Sequence, residues 1–299
     1  RSSFYRWYNC YVEYGYDGLK VSERTPNRFW NKIPDSERKW IRDISLSSSH
    51  VDKTPRELSA YITDKKGYFI SESSVYRILK DYDLILSPRY TVIKASDHYK
   101  IPTRRINEMW QTDFTYFKIL GWGWYFLSTV LDDYSRYILS WKLYSTMAAE
   151  DVQDTLDMAI EYTGVDHINV KHKPRLLSDN GPCYLSSQLA EYLKDKQMKH
   201  TRGRPYHPQT QGKIERYHRT LKNKIKLHNY WSVEALEREI ALFIQYYNNE
   251  RVHESLNNVT PSDMYYGKQE KILSLRDKIK QKTLKARKRF NLSQKSCIA

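Results

Sequence analysis

Three segments rich in aromatic and β-branched residues constrain the fold of this chain more than any other feature. The segments WQTDFTYF, WYFLSTVL and YILSWKL follow one another closely after residue 109, and their composition is typical of strands. They are separated by Gly121-Trp122-Gly123 and by the turn-forming run Asp132-Asp133-Tyr134-Ser135. The sequence therefore predicts three adjacent antiparallel strands.

The region after these strands alternates between helical and strand patterns. A helical pattern runs from about Ala148 to Tyr162, and PRLLSDNG is a short apolar run that stops at Asn180-Gly181. A second helix through Leu189 and Leu193 follows, and residues 198–201 are a possible last strand. This order predicts an α/β fold with a mixed sheet covered by helices.

The first hundred residues contain short helical patterns and few strand patterns. Thr54-Pro55-Arg56-Glu57 is a capping box with proline at the first helical position. After Gly67, a second helix can begin at Ser71 and direct Arg77 and Lys80 outward. The pair is typical of a helix-turn-helix that binds DNA, and a plain helical hairpin is the alternative.

The chain is strongly basic, with a net charge of +15. Nine basic residues against the single acid Glu215 occupy positions 199–226, and eleven against two acids follow from Lys268. A solvated helix face normally mixes charges of both signs, so blocks of one sign favour an anionic partner. Nucleic acid is the first candidate, and a soluble protein that is merely basic is the alternative.

Other classes of protein find little support in the sequence. The three cysteines, Cys10, Cys183 and Cys297, form no CxxC pair, which argues against a structural zinc site and a disulfide framework. No apolar run approaches the ~20 residues of a membrane span, and no signal-peptide pattern is present. We expect a soluble intracellular protein, preceded by an upstream segment because the chain begins with Arg1.

Three carboxylates occupy positions that are unusual for solvated acids. Asp113 interrupts an aromatic strand, Asp179 follows a buried apolar run, and Glu215 is the lone acid of a basic helix. Taken singly, each has an ordinary explanation: a strand-end polar group, an Asx turn, and a capping or ion-paired glutamate. Asp132 and Asp133 are rival metal ligands by composition, but their turn context favours a structural role.

The segments QTDFTY, LLSDNGPCY and HPQTQGKIERYHRTLK resemble the three acidic motifs of integrase-core transposases and retroviral integrases. The resemblance extends from about residue 107 to residue 267. The 35 residues between Asp179 and Glu215 are the spacing typical of that superfamily, and Lys222 matches a basic residue that insertion-sequence members carry. The lack of paired His and Cys residues near the N-terminus, where retroviral integrases carry a zinc domain, favours the bacterial insertion-sequence members. Gln211 stands where relatives often have Asn or Asp.

The resemblance implies a ribonuclease H-like mixed sheet flanked by helices, and a metal site formed by Asp113, Asp179 and Glu215. Two Mg²⁺ (or Mn²⁺) ions about 4 Å apart would activate the nucleophile and stabilise the leaving oxygen in phosphodiester cleavage. Double-stranded DNA is then the partner, and Lys222 is expected to contact a phosphate, with an ordinary surface lysine as the alternative. The other DNA contacts predicted in and near the core are Arg204, His207, Gln209, Lys213 and Arg219.

The predicted organisation is a helical remnant at 1–49, a helix-turn-helix-like domain at 50–86, a linker at 87–106, an integrase core at 107–267 and a basic tail at 268–299. The predicted function is a DNA transposase that binds terminal inverted repeats, cleaves them and transfers their 3′ ends. A structure-dependent nuclease of the same fold and a catalytically silent DNA-binding regulator are the alternatives. We further expect a multimer when two DNA ends are held together, and a cytoplasmic, nucleoid-associated location.

Overall fold

A computed structural model describes residues 2–19, 30–85, 103–119, 121–166, 173–203, 211–225 and 230–296. Its centre is a five-stranded mixed sheet. The strands are β1 (Met109–Ile119), β2 (Gly123–Asp132), β3 (Ile138–Tyr144), β4 (Arg175–Ser178) and β5 (His200–Arg202). Their order in the sheet is β3-β2-β1-β4-β5, with β1 antiparallel to β2 and parallel to β4. The three antiparallel strands expected from the sequence are confirmed.

Helices cover both faces of the sheet. They are α5 (Ala149–Thr163), α6 (Pro182–Leu185), α7 (Ser187–Asp195), α8 (Gly212–Ile225), α9 (Val233–Asn249) and α10 (Pro261–Tyr265). Leu156 of α5 and Leu189 of α7 are buried in one cluster with Trp110 of β1. Leu221 of α8 and Ile240 of α9 are buried in another cluster, with Leu127 of β2. The sheet thus separates two apolar cores, as the alternation of strand and helix patterns predicts.

The N-terminal part is helical. It contains α1 (Ser2–Tyr14), α2 (Asp35–Leu46), α3 (Pro55–Lys66) and α4 (Glu72–Asp81). The predicted capping box is present at α3, where the Thr54 side chain accepts from the Glu57 N–H and the Glu57 carboxylate accepts from the Thr54 N–H. Ser71 caps α4 in a similar way by accepting from the Ser74 N–H.

A separate apolar cluster supports this helical part. Ile41 of α2 lies in the same buried cluster as Leu58 and Ile62 of α3 and Ile78 of α4. The predicted boundary between residues 49 and 50 therefore divides one packed unit, because helix α2 supplies part of the core on which α3 and α4 rest. We call residues 30–85 the helical region below.

The segment predicted as a basic tail is a helix, α11 (Gln269–Ser296), whose middle and end lie against the helical region. Most of the predicted linker and all of the loop that contains Arg204, His207 and Gln209 lie outside the described residues. Among the helices that the structure describes, none is both long enough and apolar enough to cross a membrane.

Candidate active site

The strand pairing brings two of the predicted acids side by side. Strands β1 and β4 are parallel, and the last registered pair is Gln111 with Leu177. Asp113, within β1, and Asp179, directly after the end of β4, each lie two residues beyond this pair. The parallel pairing therefore places both aspartates at the same level of neighbouring strands, although 65 residues separate them in sequence.

The turn after β4 holds the Asp179 carboxylate. The Gly181 N–H donates to Asp179 Oδ1 at 2.8 Å, as in an Asx turn. A Cβ atom at Gly181 would lie 3.1 Å from the same oxygen, so the turn has little room for a side chain there. Asn180 Nδ2 donates to the Gly203 carbonyl at 2.8 Å, which ties the turn to the residue after β5.

The third acid approaches from α8, across a cavity of about 380 Å³ that is open to solvent. Glu215 is in the first turn of this helix, and His218 follows one turn later. His218 Nδ1 lies 3.3 Å from Asp113 Oδ2, and both side chains are largely shielded, with 8% and 21% exposed. Asp113, Glu215, His218, Arg219 and Lys222 all line this cavity.

The three carboxylates influence one another electrostatically. Burial raises the pKa of Asp179, the Gly181 N–H opposes this rise, and the negative charge of Asp113 adds to it. Burial also raises the pKa of Glu215, and Asp113 again adds to the rise, whereas Arg219 and His218 lower it. Asp113 therefore acts on both of the other acids, which is the arrangement that a bound cation relieves.

Carboxylate oxygens are the donors that Mg²⁺ prefers, so the chemistry of these side chains fits a divalent metal ion. Among the residues that the structure describes, however, no three His, Cys, Asp or Glu side chains are close enough together to hold one ion. Asp113 and Glu215 line one cavity, and the charge of Asp113 acts on both other acids, so a shared metal site would require the three carboxylates to move closer together.

Asp132 and Asp133, the rival ligands, have internal partners instead. Asp132 accepts from the Ser135 N–H and hydroxyl at one oxygen and from the Asn107 N–H at the other. Asp133 accepts from Gln111 Nε2 at 2.7 Å and from Lys213 Nζ at 2.6 Å. Both aspartates are buried. Their oxygens are occupied by donors of the chain, as a structural role requires.

A buried network connects this second acidic pair to the cavity. The Gln111 side chain bridges Asp133 and α8: its Nε2 donates to Asp133, and its Oε1 accepts from the Ile214 N–H at 3.1 Å. Gln111 precedes Asp113 by two residues on β1, and Ile214 directly precedes Glu215. The network therefore fixes the start of α8 relative to the strand that carries Asp113.

Some of the predicted DNA-contact residues are accessible at the surface, and one of them is held in an internal ion pair. Lys222 Nζ lies 4.3 Å from the centre of the Tyr116 ring at the cavity edge, and Arg219 is exposed at the same cavity. Arg77 and Lys80 are exposed on α4. Lys213, in contrast, is held against the buried carboxylate of Asp133. This internal ion pair speaks against a DNA contact by Lys213.

Two residues of this site carry no clear signal in the sequence. His218 stands on the border of an apolar helical stripe, where it is indistinguishable from a flanking polar residue. Gln111 is an uncharged polar residue within the strand, and its burial is the only hint of a role. An amide buried beside a candidate acid is the signal that identifies it in retrospect.

Two family models described as "Integrase core domain" match residues 103–208 and 196–261, and together they extend over more than half of the chain. A model described as "Homeodomain-like domain" matches residues 3–79. These ranges coincide with the mixed sheet and its flanking helices, and with the N-terminal helices.

Among curated proteins, the chain is 28% identical over 158 residues to the putative transposase InsK for insertion sequence element IS150 of Escherichia coli (strain K12), covering 52% of this chain and 54% of that protein. It is 32% identical over 119 residues to the Gag-Pro-Pol polyprotein of squirrel monkey retrovirus, covering 40% of this chain and 6% of the polyprotein. The chain thus spans about half of the transposase and a small part of the polyprotein.

Among solved structures, the HTLV-2 integrase catalytic core domain in complex with magnesium (trimeric form) matches with 21% identity and a TM-score of 0.42, covering 54% of this chain and 97% of that one. The family assignment rests on the integrase-core and homeodomain-like models and on the transposase relative. The chain belongs to the integrase-core family, and about half of it is similar to a transposase of an insertion sequence.

Proposed function

We propose that the chain is a DNA transposase that binds the terminal inverted repeats of its element, cleaves phosphodiester bonds there and transfers the 3′ ends into target DNA. One observation carries the proposal: burial together with the charge of Asp113 raises the pKa of both Asp179 and Glu215, although the three acids belong to three different parts of the chain. Acids within electrostatic reach of one another disfavour an empty site, as is expected where a metal-dependent reaction takes place.

The proposed roles follow from position. Asp113 within β1, Asp179 directly after β4, and Glu215 on α8 would hold two Mg²⁺ or Mn²⁺ ions. When bound, the ions supply charge stabilisation and an activated nucleophile, either water or a DNA 3′-hydroxyl. Arg219 and Lys222 line the same cavity, and we assign them to the phosphates on either side of the reacting bond.

The Asp113–His218 contact adds a positioning role. His218 is buried, and its Nε2 has no hydrogen-bond partner among the described residues. Its other nitrogen, Nδ1, faces Asp113 Oδ2. In the proposed function, His218 orients this carboxylate relative to the helix that carries Glu215.

The partners proposed for this chain are duplex DNA and further copies of itself. Holding two element ends in one complex requires more than one DNA-binding unit, so we propose a homo-oligomer during strand transfer. The same proposal places the protein in the bacterial cytoplasm, at the nucleoid, where its DNA substrates are. The resemblance to an insertion-sequence transposase of E. coli supports both parts.

The test uses purified protein and labelled duplexes that span each end of the element encoding the chain. With Mg²⁺ present, denaturing gels should show nicking at the end and covalent transfer to a target plasmid, and EDTA should abolish both. The Asp179→Asn variant is the matched control, since it removes one negative oxygen and keeps the side-chain shape.

Three outcomes distinguish the alternatives. Nicking with joining supports the transposase. Cleavage that depends on DNA shape or RNA content, without joining, identifies a structure-dependent nuclease of this fold. DNA binding with no metal-dependent chemistry by the wild type identifies a silent regulator. Full activity in Asp179→Asn contradicts the site assignment itself.

A further inference from the structure

Helix α11 has two faces with different roles. One face contacts the helical region through residues spaced three, four or seven apart, which is the spacing of a single helical face. Arg276 donates from Nε and Nη2 to the two carboxylate oxygens of Asp64, at 2.7 and 2.6 Å. Thr283 Oγ1 accepts from the Phe69 N–H at 3.0 Å. These contacts tie α11 to α3 and to the turn that precedes α4.

The last turns of α11 continue the same contact. Arg287 is buried and donates to the Phe69 carbonyl at 2.7 Å and to the Tyr68 hydroxyl at 2.8 Å. Asn291 Nδ2 donates to the carbonyls of Trp30 and Lys32. Because the contacts extend over four helical turns, from residue 276 to residue 291, they fix the rotation of α11 about its own axis.

The fixed rotation determines which residues point away from the protein. Successive residues of an α-helix are 100° apart around its axis, so the residues opposite the contact face can be identified from their numbers. Five cations lie within ~40° of the line that runs along the helix opposite this face, and all five are exposed. We call them the basic stripe: Lys271, Lys278, Lys282, Lys285 and Arg289. The stripe is ~27 Å long, at 1.5 Å per residue.

The basic stripe lacks the acids that an ordinary solvated helix face would contain. The two acids of α11, Glu270 and Asp277, are ~100–120° from the line of the stripe. Within the described part of the chain, none of the five cations forms an ion pair. Lys278 and Lys282 are four residues apart, as are Lys285 and Arg289, and like charges at this spacing destabilise a helix.

We propose that the basic stripe is a binding site for the phosphate backbone of duplex DNA. The proposal rests on the proposed transposase function and adds a surface that lies outside the core. Five cations on a straight, rigid line match a polyanion whose charges are closely and regularly spaced, and ~27 Å corresponds to about eight base pairs. Phosphate binding would also relieve the repulsion within the stripe.

The contacts between α11 and the helical region determine what the basic stripe can do when it binds DNA. Arg276, Thr283 and Arg287 join α11 to the helical region. A duplex held by the basic stripe is therefore held at a set orientation relative to the helical region, without any base-specific contact by the stripe itself. Phosphate contacts of this kind position DNA and leave sequence recognition to other residues.

The test compares two double variants of the full chain that remove the same charge. Lys282→Gln/Lys285→Gln removes two members of the stripe. Lys39→Gln/Lys194→Gln removes two exposed lysines, on α2 and α7, that lie outside it. Fluorescence anisotropy with a labelled 20-base-pair duplex, titrated with NaCl, gives the slope of log K against log[salt]. Each lost phosphate contact lowers this slope by about 0.9.

We expect the stripe variant to lose about 1.8 from the salt slope, equivalent to up to about 60-fold weaker binding at 0.1 M salt. The control variant should keep the wild-type slope, and Lys282→Arg/Lys285→Arg should restore binding because it keeps both charges. The melting temperature of the stripe variant should not fall, since the substitution removes like-charge repulsion.

Equal slopes for the stripe and control variants would overturn the proposal, as would tighter binding of wild type to a double-stranded RNA of the same length. Nicking of the element ends is measured on the same samples. Equal slopes together with wild-type nicking contradict the basic stripe alone. If the stripe variant has a lower salt slope but the wild type does not nick the element ends, the transposase function is contradicted and the proposal of a DNA-binding basic stripe is supported.

Discussion

The core contains two groups of carboxylates that lie close together and behave differently. In the first, Asp132 and Asp133 are buried and accept hydrogen bonds from donors of the chain at each of their oxygens. In the second, Asp113 and Glu215 line an open cavity and Asp179 follows the strand next to Asp113, and burial together with the negative charge of Asp113 raises the pKa of Asp179 and Glu215.

The difference shows how a fold separates structural acids from reactive ones. A buried carboxylate with several donors stabilises the fold, because its charge is compensated inside the protein. The acids of the second group have fewer such donors, and the proposed metal ions would supply the further positive charge. The second group can therefore gain free energy by binding a cation, whereas the first group cannot, because its charges are already compensated.

The largest effect is expected from substitutions in the cavity group. Asp113→Asn, Asp179→Asn and Glu215→Gln should each lower nicking by at least ~1,000-fold, about 4 kcal/mol in the activation free energy, because each would remove an oxygen of the proposed metal site. The thermal unfolding midpoint of the metal-free protein should not decrease. Single-turnover nicking and differential scanning fluorimetry measure the two quantities.

The buried pair should respond in the opposite way. Asp133→Ala leaves the Lys213 ammonium and the Gln111 amide without their partner, and breaking such a pair costs ~3–5 kcal/mol of the free energy of unfolding. Chemical denaturation measures this loss. The double variant Asp133→Leu/Lys213→Met removes both charges and should be less destabilised than the single variant. If Asp133→Ala is as stable as the wild type and has lost only nicking, the two groups of carboxylates do not differ in the way described above.

Gln111 lies between the two groups and should affect both. Gln111→Leu leaves the Ile214 N–H and one oxygen of Asp133 without a partner, at a cost of ~1–3 kcal/mol in stability. Because the start of α8 then loses a contact with β1, nicking should also fall, by ~10–100-fold, as is typical for residues that orient metal ligands. Asn180→Ala, which breaks the hydrogen bond to the Gly203 carbonyl and leaves the contacts of Gln111 intact, is the comparison variant. A stability loss with no loss of nicking contradicts the coupling.

The smallest effect concerns pH. The raised pKa values of Asp179 and Glu215 mean that the folded state favours their protonated forms. The contribution of these two carboxyl groups to the free energy of unfolding is complete when the pH is below their pKa in the unfolded chain. It is lost as the pH rises through their higher pKa in the folded protein. Asp179→Asn should therefore stabilise the metal-free protein at neutral pH, by less than ~1 kcal/mol because the side chain is exposed, and should have no such effect near pH 3. Metal addition should stabilise only the wild type.

Much of the fold followed from local patterns. The strands, helix α5 and the capping box of α3 were predictable because side-chain periodicity and end signals act within a few residues. The same reasoning singled out Asp179 and Glu215, through a turn signal and a lone acid in a basic helix. It could not reveal that Gln111 joins Asp133 to Ile214, since these residues lie 22 and 103 positions away from it.

The sequence by itself determined the α/β order of elements and the basic blocks, because composition and periodicity are properties of short segments. The three candidate acids came from the resemblance of their motifs to a known family, since each acid by itself also fits an ordinary structural role. Only the tertiary structure decided which acids face a cavity and which are paired inside, and that the C-terminal basic segment is a helix bound to the helical region. Those outcomes depend on contacts such as Arg276 with Asp64, 212 residues apart. Burial and partner choice arise when distant segments meet, and no local pattern encodes them.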